Sequence, residues 1–296
     1  MATSISDPLA RIRVRMKSHR TSMKTGRFIW YALLVMFSLF SLIPFLWMIS
    51  TSLKTRAEVF TYPPILFPPL PLWENYIRVF DAFPFLRYAR NTIFISVTVT
   101  FFQTLTAAMA AYAFSRLRFP ARDRLFLLYL GTLMVPGVVT LIPSYILMTD
   151  KFLGWVDTFK ALIIPASLGG AFNTFLIRQF LLSLPIELED AARIDGASPI
   201  SIFTRLVLPL SKSILAIVAI FTFMGSWNAF LWPLLMIKDQ NKLVLTVGLS
   251  AMQGRWGTRW PELMAGTLMS IIPILILLIL FQRYFEEGIT LTGLKA

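Results

Sequence analysis

Six apolar stretches dominate this sequence, each roughly 17 to 25 residues long, and a stretch of that length crosses a hydrocarbon core about 30 Å thick. They occupy approximately residues 28–50, 92–114, 125–148, 161–177, 214–237 and 263–281. The first is too long for a removable signal peptide and lacks a small-residue cleavage site, so it reads as a retained anchor. The fourth is short, contains Pro165 and the pair Gly169-Gly170, and ends at Arg178. It is therefore expected to be tilted, broken or longer than drawn.

Composition agrees with a polytopic membrane protein and narrows its chemistry. A chain that is 56% hydrophobic, with 26 Phe and a mean hydropathy of +0.69, does not suit a water-soluble globule. With no Cys, disulfides, thiolate metal sites and cysteine nucleophiles are all excluded. One histidine, His19, in a polar tail leaves little for imidazole catalysis or metal binding, although carboxylates could still serve an enzyme. No catalytic residue, metal or cofactor is expected. The 28 Lys and Arg against 15 Asp and Glu raise nucleic acid as a partner. However, the run Arg11, Arg13, Arg15, Lys17, Arg20, Lys24 and Arg27 directly precedes the first apolar stretch. That is the place for topology control at a cytoplasmic face, and nucleic acid is not expected.

With the N-terminus inside, cytoplasmic segments hold 17 of the basic residues and the opposite side 11. The excess is modest, and Arg87 and Arg90 oppose it. The ten-residue connection carrying Arg116, Arg118, Arg122 and Arg124 decides for both termini inside. The expected organisation is a basic cytoplasmic tail (1–27) and one transmembrane domain (28–296), with an outer loop (51–91) and a cytoplasmic loop (178–213). Pro63, Pro64, Pro68, Pro69 and Pro71 predict extended backbone across the outer loop, packed on the membrane domain.

As drawn, the spans contain no charged side chain; their polar residues are uncharged, among them Gln103, Asn173 and Asn228. A proton- or sodium-coupled carrier commonly needs an embedded ionisable group. No GxxxxGK[ST] loop is present to cradle nucleotide phosphates. Uphill transport by this chain would use fuel consumed by another subunit. A self-sufficient secondary carrier or channel for a small polar solute is the alternative.

The segment LPIELEDAARIDGASPISIFTRLVLP, between the fourth and fifth stretches, writes two short helices. Pro185 suits a first turn, and Glu187, Glu189 and Asp190 place negative charge at the positive end of a helix. Leu184, Leu188, Ala191 and Ala192 make one apolar stripe that narrows to two small residues, and Glu189 and Arg193 are spaced for an i,i+4 pair. Gly196 can take the left-handed conformation that ends a helix, and Ser198-Pro199 supplies a cap and first-turn residue for the next. The result is a helix-turn-helix elbow, read as a docking knob, against the plainer reading of an amphipathic helix lying on the membrane.

This string resembles the EAA loop of ABC-importer permeases, a pattern of EAA, three residues, Gly, nine residues and I-x-L-P. Asp190, Ala191 and Ala192 take the EAA positions, Gly196 follows after three residues, and Leu206-Val207-Leu208-Pro209 after nine. Asp190 for Glu and Leu206 for Ile are the departures. The carbohydrate-uptake (maltose-type) branch is similar also at Ser52-Leu53-Lys54, Trp73-Glu74-Asn75-Tyr76, AYAFSRLRFP, MVPGVVTLIP, Trp227-Asn228-Ala229-Phe230 and the closing QRYFEEGITLTGLKA. The tail departs from the family's G-x-x-K-G by ending Leu294-Lys295-Ala296.

The resemblance implies an all-α membrane subunit with six transmembrane helices and the type I importer permease fold, set in membrane lipid of the inner or plasma membrane. It further implies a second, non-identical permease, two cytosolic ATP-binding subunits, an extracytoplasmic solute-binding protein and a carbohydrate substrate. Coupling to the ATPase would fall on Glu187, Glu189, Asp190, Ala191, Ala192, Arg193, Asp195, Gly196 and Ala197. For the path, Asn228 could hydrogen-bond a sugar hydroxyl and Trp227 or Trp232 could cover a ring face. Gln103 and Asn173 are further candidates, although polar residues of a bundle also serve as inter-helix glue.

Overall fold

The computed structural model describes residues 8–254 and 257–293, with side chains described for residues 27–254 and 257–284. His19 and the basic side chains up to Lys24 lie outside the described side chains, and Leu294, Lys295 and Ala296 outside the described residues. The first helix, α1 (Pro8–Ser52), runs back through the basic tail, well before residue 28. Lys, Arg and Met are good helix formers, and no proline interrupts the helix before Pro44. From Phe28 to Leu46 its side chains are exposed, as a surface meant for lipid or another chain would be.

The outer-loop expectation is corrected in part, because two helices form among the prolines. These are α2 (Arg56–Val59) and α3 (Glu74–Ala82). Thr55 and Glu58 close a capping box on α2, with the Glu58 carboxylate accepting from the Thr55 amide at 2.8 Å. Asn75 Nδ2 donates to the carbonyls of Ser52 and Lys54, both at 2.9 Å, and Arg56 pairs with the buried Glu262 at 3.2 Å. The loop is thereby fastened to the end of α1 and the start of the last helix, as packing on the membrane domain requires.

At the centre lies α4 (Phe85–Arg116), which exceeds the expected 92–114 and takes Arg87, Arg90 and Arg116 into the helix. Its small residues Ala107, Ala108 and Ala111 are at most 2% exposed and let neighbouring helices approach closely. The third stretch bends. Helix α5 (Arg122–Gly131) ends in a 3-10 turn, and α6 (Gly137–Met148) leaves at 97° to it. Pro136 accounts for the break, since Val135 before it is held extended at φ −84°, ψ 114°. The fourth stretch is both broken and longer than drawn, as α7 (Lys160–Ser167) and α8 (Ala171–Ser183) with Gly169-Gly170 between them.

After α8 come the elbow helices α9 (Glu187–Ile194), α10 (Pro199–Ile202) and, beyond a π turn, α11 (Leu208–Leu210). The fifth stretch follows as α12 (Lys212–Trp227) and α13 (Leu231–Met236), interrupted at residues 228–230. Then come α14 (Leu245–Ala251), a small antiparallel hairpin of β1 (Gln253–Gly254) and β2 (Gly257–Thr258), and α15 (Trp260–Gly293). Among the described residues, parts of α1, α4, α7 with α8, and α15 are long and apolar enough to cross a membrane, and two bent pairs raise these four to six when each counts as one span. The architecture is all-α apart from that hairpin.

The bundle end away from the elbow is fastened by polar contacts among loops. Asp157 accepts from the amides of Lys238 and Asp239 at 3.0 and 2.9 Å, while Lys242 reaches Asp157 and Asp239 at 3.6 and 3.4 Å. Asn91 Nδ2 donates to the carbonyls of Asn241 and Leu243, and Thr92 Oγ1 accepts from the Leu245 amide at 2.8 Å. The two backbone donors hold the Asp157 carboxyl below the ordinary carboxylate range. A depressed pKa stabilises the clamp at neutral pH, and this contribution is lost as pH falls through the folded value. The protection of the Lys238 and Asp239 amides against hydrogen exchange, measured relative to the intrinsic rate at each pH, should hold at neutral pH and be lost only below the ordinary carboxylate range. Asp157→Asn should abolish that acid transition.

A close contact between α14 and α4 supplies a stability test. A Cβ on Gly248 would lie 2.2 Å from a ring carbon of Tyr88, which is 6% exposed and packed against Phe83. Gly248→Ala should therefore destabilise the protein by about 1–3 kcal/mol, read as a lower midpoint of thermal unfolding in detergent. Gly131→Ala, which meets nothing within 4 Å, is the control.

Candidate functional site

Two features stand out, the elbow and a cavity in the bundle. In the elbow, α9 ends as its sequence dictates. Gly196 sits at φ +81°, the Ala197 amide donates to Ala192 O at 2.9 Å and the Gly196 amide to Arg193 O at 3.0 Å. Those two bonds constitute a Schellman motif, which satisfies the last carbonyls of the helix. Ser198 Oγ then accepts from the Ser201 amide at 3.3 Å, with Pro199 in the first turn of α10. Pro185 falls just ahead of α9 rather than within its first turn.

The faces of α9 differ from the simple stripe. Its one buried residue is Glu189, at 3% exposure, while Leu188 is 45% and Ile194 87% exposed. Ala191 is exposed and Ala192 half-buried, packed with Ala197 and Leu206 onto a core of Ala108, Tyr112, Ile177 and Leu181 from α4 and α8. Glu187, Asp190 and Asp195 face solvent, and Asp190 pairs with Arg193 at 2.7 Å. The elbow thus sits on the bundle through one side and shows Ile194 and, on α10, the 75% exposed Ile200 on the other.

Sequence spacing pairs Glu189 with Arg193, and that contact exists at 3.6 Å, but the nearest cation is Arg116. Its Nε lies 2.8 Å from Glu189 Oε1, with both side chains at most 6% exposed. The same guanidinium donates to Leu181 O at 2.6 Å and Leu184 O at 2.9 Å at the end of α8, where Leu181 O also accepts from the Leu184 amide. Arg178 adds a bond to Phe114 O at 3.2 Å and sits 4.2 Å over the Phe126 ring. Linear spacing could not supply the Arg116 contact, because the partners are far apart in the chain. One signal existed: Ala108 and Tyr112 place Arg116 on the buried stripe of α4 at four-residue steps.

The cavity encloses about 420 Å³ between α4, α7, α8 and α12. Gln103, Asn173, Thr222, Ser226, Phe172 and Trp232 are among its lining residues, and none of the lining residues is charged. Asn173 Nδ2 donates to Thr222 Oγ1 at 3.0 Å, and Trp232 Nε1 donates to Ala161 O at 3.0 Å. Near the cavity the chain breaks at Gly169-Gly170, where Thr106 Oγ1 accepts from the Gly169 amide at 2.9 Å and donates to Ser167 O at 2.8 Å. An aromatic face beside uncharged hydrogen-bonding groups is chemistry suited to a polyhydroxylated solute. A second groove of about 580 Å³, between α4, α12 and α15, has mainly apolar walls and offers little to such a solute.

The four path candidates separate. Gln103 and Asn173 line the cavity together. Trp227 does not; it is 3% exposed, stacked on Phe223 at 5.6 Å, and its Nε1 donates to Ser270 O at 3.1 Å, which gives it a packing role. Asn228 is exposed at the end of α12, where its Nδ2 donates to Met224 O at 2.9 Å, and it is not among the lining residues.

Residues 20–290 match the family described as "Binding-protein-dependent transport system inner membrane component". The arabinooligosaccharides transport system permease protein AraQ of Halalkalibacterium halodurans is 38% identical over 233 residues, 78% of this chain and 82% of that protein. The sn-glycerol-3-phosphate transport system permease protein UgpE of Pectobacterium atrosepticum is 36% identical over 240 residues, 78% of this chain and 84% of that protein. Among solved structures, a bacterial ABC transporter involved in import of the acidic polysaccharide alginate contains a chain that is similar at a TM-score of 0.77 and 25% identity, covering 96% of this chain and all of that one. A chain of an alginate transporter complexed with its periplasmic protein gives 0.60 at 14% identity, covering 89% and 95%, a likeness of fold alone.

The elbow's turn is directly testable. A side chain at a left-handed position costs about 1–2 kcal/mol. Gly196→Val should accordingly loosen the elbow, and limited proteolysis between α9 and α10 should speed up while insertion in the membrane persists.

Proposed function

The chain belongs to the family of binding-protein-dependent transport system inner membrane components, and from that premise we propose how its two features divide the work of an importer. It is a transmembrane permease subunit of an ATP-binding-cassette importer for a carbohydrate or related polyol, with the type I importer permease fold. Proteins of this kind work with a solute-binding protein and an ATPase. In our reading the partners are a second, non-identical permease and two cytosolic ATP-binding subunits, each subunit gripping one elbow. The solute-binding protein delivers solute at the opposite end of the bundle.

The observation that carries this reading is the elbow itself, seated on the bundle by its buried side and presenting Ile194 and Ile200 to solvent. An exposed apolar pair on a rigid turn suits a pocket of another protein. Arg116 ties the connection carrying Arg118, Arg122 and Arg124 to the elbow. Basic residues of short loops stay inside, so the elbow and both termini face the cytosol in this reading. The cavity lined by Gln103 and Asn173 then forms this subunit's share of the solute path. Its uncharged walls support solute passage driven by an attached ATPase rather than by a co-transported ion.

Ile194→Glu tests the docking face. In the assembly purified from membranes, it should lower ATPase retention about tenfold or more, the size expected for an interface anchor. Full retention would refute the docking assignment, and concentrative uptake by this chain alone, with no ATPase, would refute the importer reading.

A further inference from the structure

Adjacent acidic residues of α9 point in opposite directions. Asp190 is exposed, whereas Glu189 is 3% exposed and turned into the bundle. We propose that Glu189 and Arg116 form a positioning strut that carries movement between the elbow and α4, so that Glu189 acts inside the permease and is not an ATPase contact. The inference rests on the importer reading above.

Access comes first. A docking subunit cannot reach Glu189 without unseating α9, since both members of the pair are at most 6% exposed and Arg193 closes over the second carboxylate oxygen at 3.6 Å. Direction comes next. Arg116 is the last residue of α4, and Gln103 of the cavity wall lies about 20 Å up the same helix at 1.5 Å per residue. A displacement of Glu189 therefore bears on the end of a cavity-lining helix.

The elbow's covalent joints are less suited to that task. Residues 184–186 are non-helical on one side, and on the other a π turn leads to an 80° bend before α12. Other contacts include apolar ones through Ala192, Ala197, Phe203 and Leu206, which can slide, and Arg193 lies beside the Tyr112 hydroxyl of α4 at the exposed edge of the pair. The ion pair is specific in distance, and the guanidinium is held in turn by Leu181 O and Leu184 O. The strut thus grips α4, the end of α8 and α9 at one point.

The test uses the full assembly in lipid vesicles, with this chain carrying Ser226→Cys in the cavity wall. The chain has no cysteine of its own, so maleimide label recovered on this chain, after it is separated from its partner subunits, reports on that site alone. In the parent, Mg-ATP should change the labelling rate. Glu189→Gln, which is isosteric, should retain the ATPase but shrink the ATP-dependent change at least about fivefold. Arg116→Gln should do the same, and the double variant should be no worse than either single one, because two residues acting as one unit are not additive. A full ATP response in Glu189→Gln, additive losses in the double variant, or loss of the ATPase from Glu189→Gln would each overturn the strut. Should the parent itself retain no ATPase or show no ATP response, the importer reading fails, and the strut with it.

Discussion

A carboxylate and a guanidinium removed from water at a single point set the conditions for the rest of this structure. Separately, each would carry a desolvation penalty of several kcal/mol, and removing one partner of such a pair costs about 3–5 kcal/mol. Glu189 and Arg116 meet at 2.8 Å, and Arg116 also donates to the Leu181 and Leu184 carbonyls at the end of α8. Seating the elbow and finishing α8 are consequently one event. The elbow can then be mostly exposed and still hold a definite orientation, since its position does not depend on α9's own short length or on its apolar face.

The membrane imposes a second constraint, on where the backbone breaks. Inside hydrocarbon every amide and carbonyl needs a partner, so irregular backbone is tolerated only where it is buried in protein or lines a cavity. The interruption at Gly169-Gly170 obeys this rule, with Thr106 supplying the hydroxyl that both accepts from Gly169 and donates to Ser167. Gly169 is glycine for a steric reason as well, because a Cβ there would come within 3.1 Å of the Ala107 backbone. The break thus packs directly on the middle of α4, through small residues on both sides that let the helices come close.

How much of this was legible in the sequence depended on the range of the interaction responsible. Hydropathy located all six apolar stretches, and Gly196, Ser198 and Pro199 placed the elbow's turn, because caps and turns act over a few residues. Pro165 with Gly169-Gly170 announced the broken fourth stretch. The 97° bend at Pro136 was missed, since one proline inside an apolar run reads equally as a kink or as nothing. The outer loop's prolines hid α2 and α3, whose stability comes from a local capping box and from Asn75 reaching back to Ser52 and Lys54. Trp227 looked like a sugar platform from composition alone; only tertiary packing on Phe223 and Ser270 shows it filled. Arg116 was legible as one of four basic loop residues, while its buried partner was not, because nothing in a linear string states which helix ends meet.

These constraints meet in α4. At one end Asn91 and Thr92 fasten it to the segment from Asn241 to Leu245, and at the other Arg116 fastens it to the elbow. Between those ends its cavity residue Gln103 and its buried residues, among them Ile95, Val99, Ala107, Ala108 and Ala111, are uncharged, so that the helix can shift against neighbours without separating charges. In the proposed cycle, nucleotide would favour one arrangement of the ATPases, and the elbow would pass that preference on only as far as its contacts differ between the two states. A helix joined at one end to the elbow and lining the cavity along its middle meets that requirement. Its ends carry the links to the loops and to the elbow, and its middle carries the cavity face together with the Thr106 bonds that hold the break of the fourth stretch.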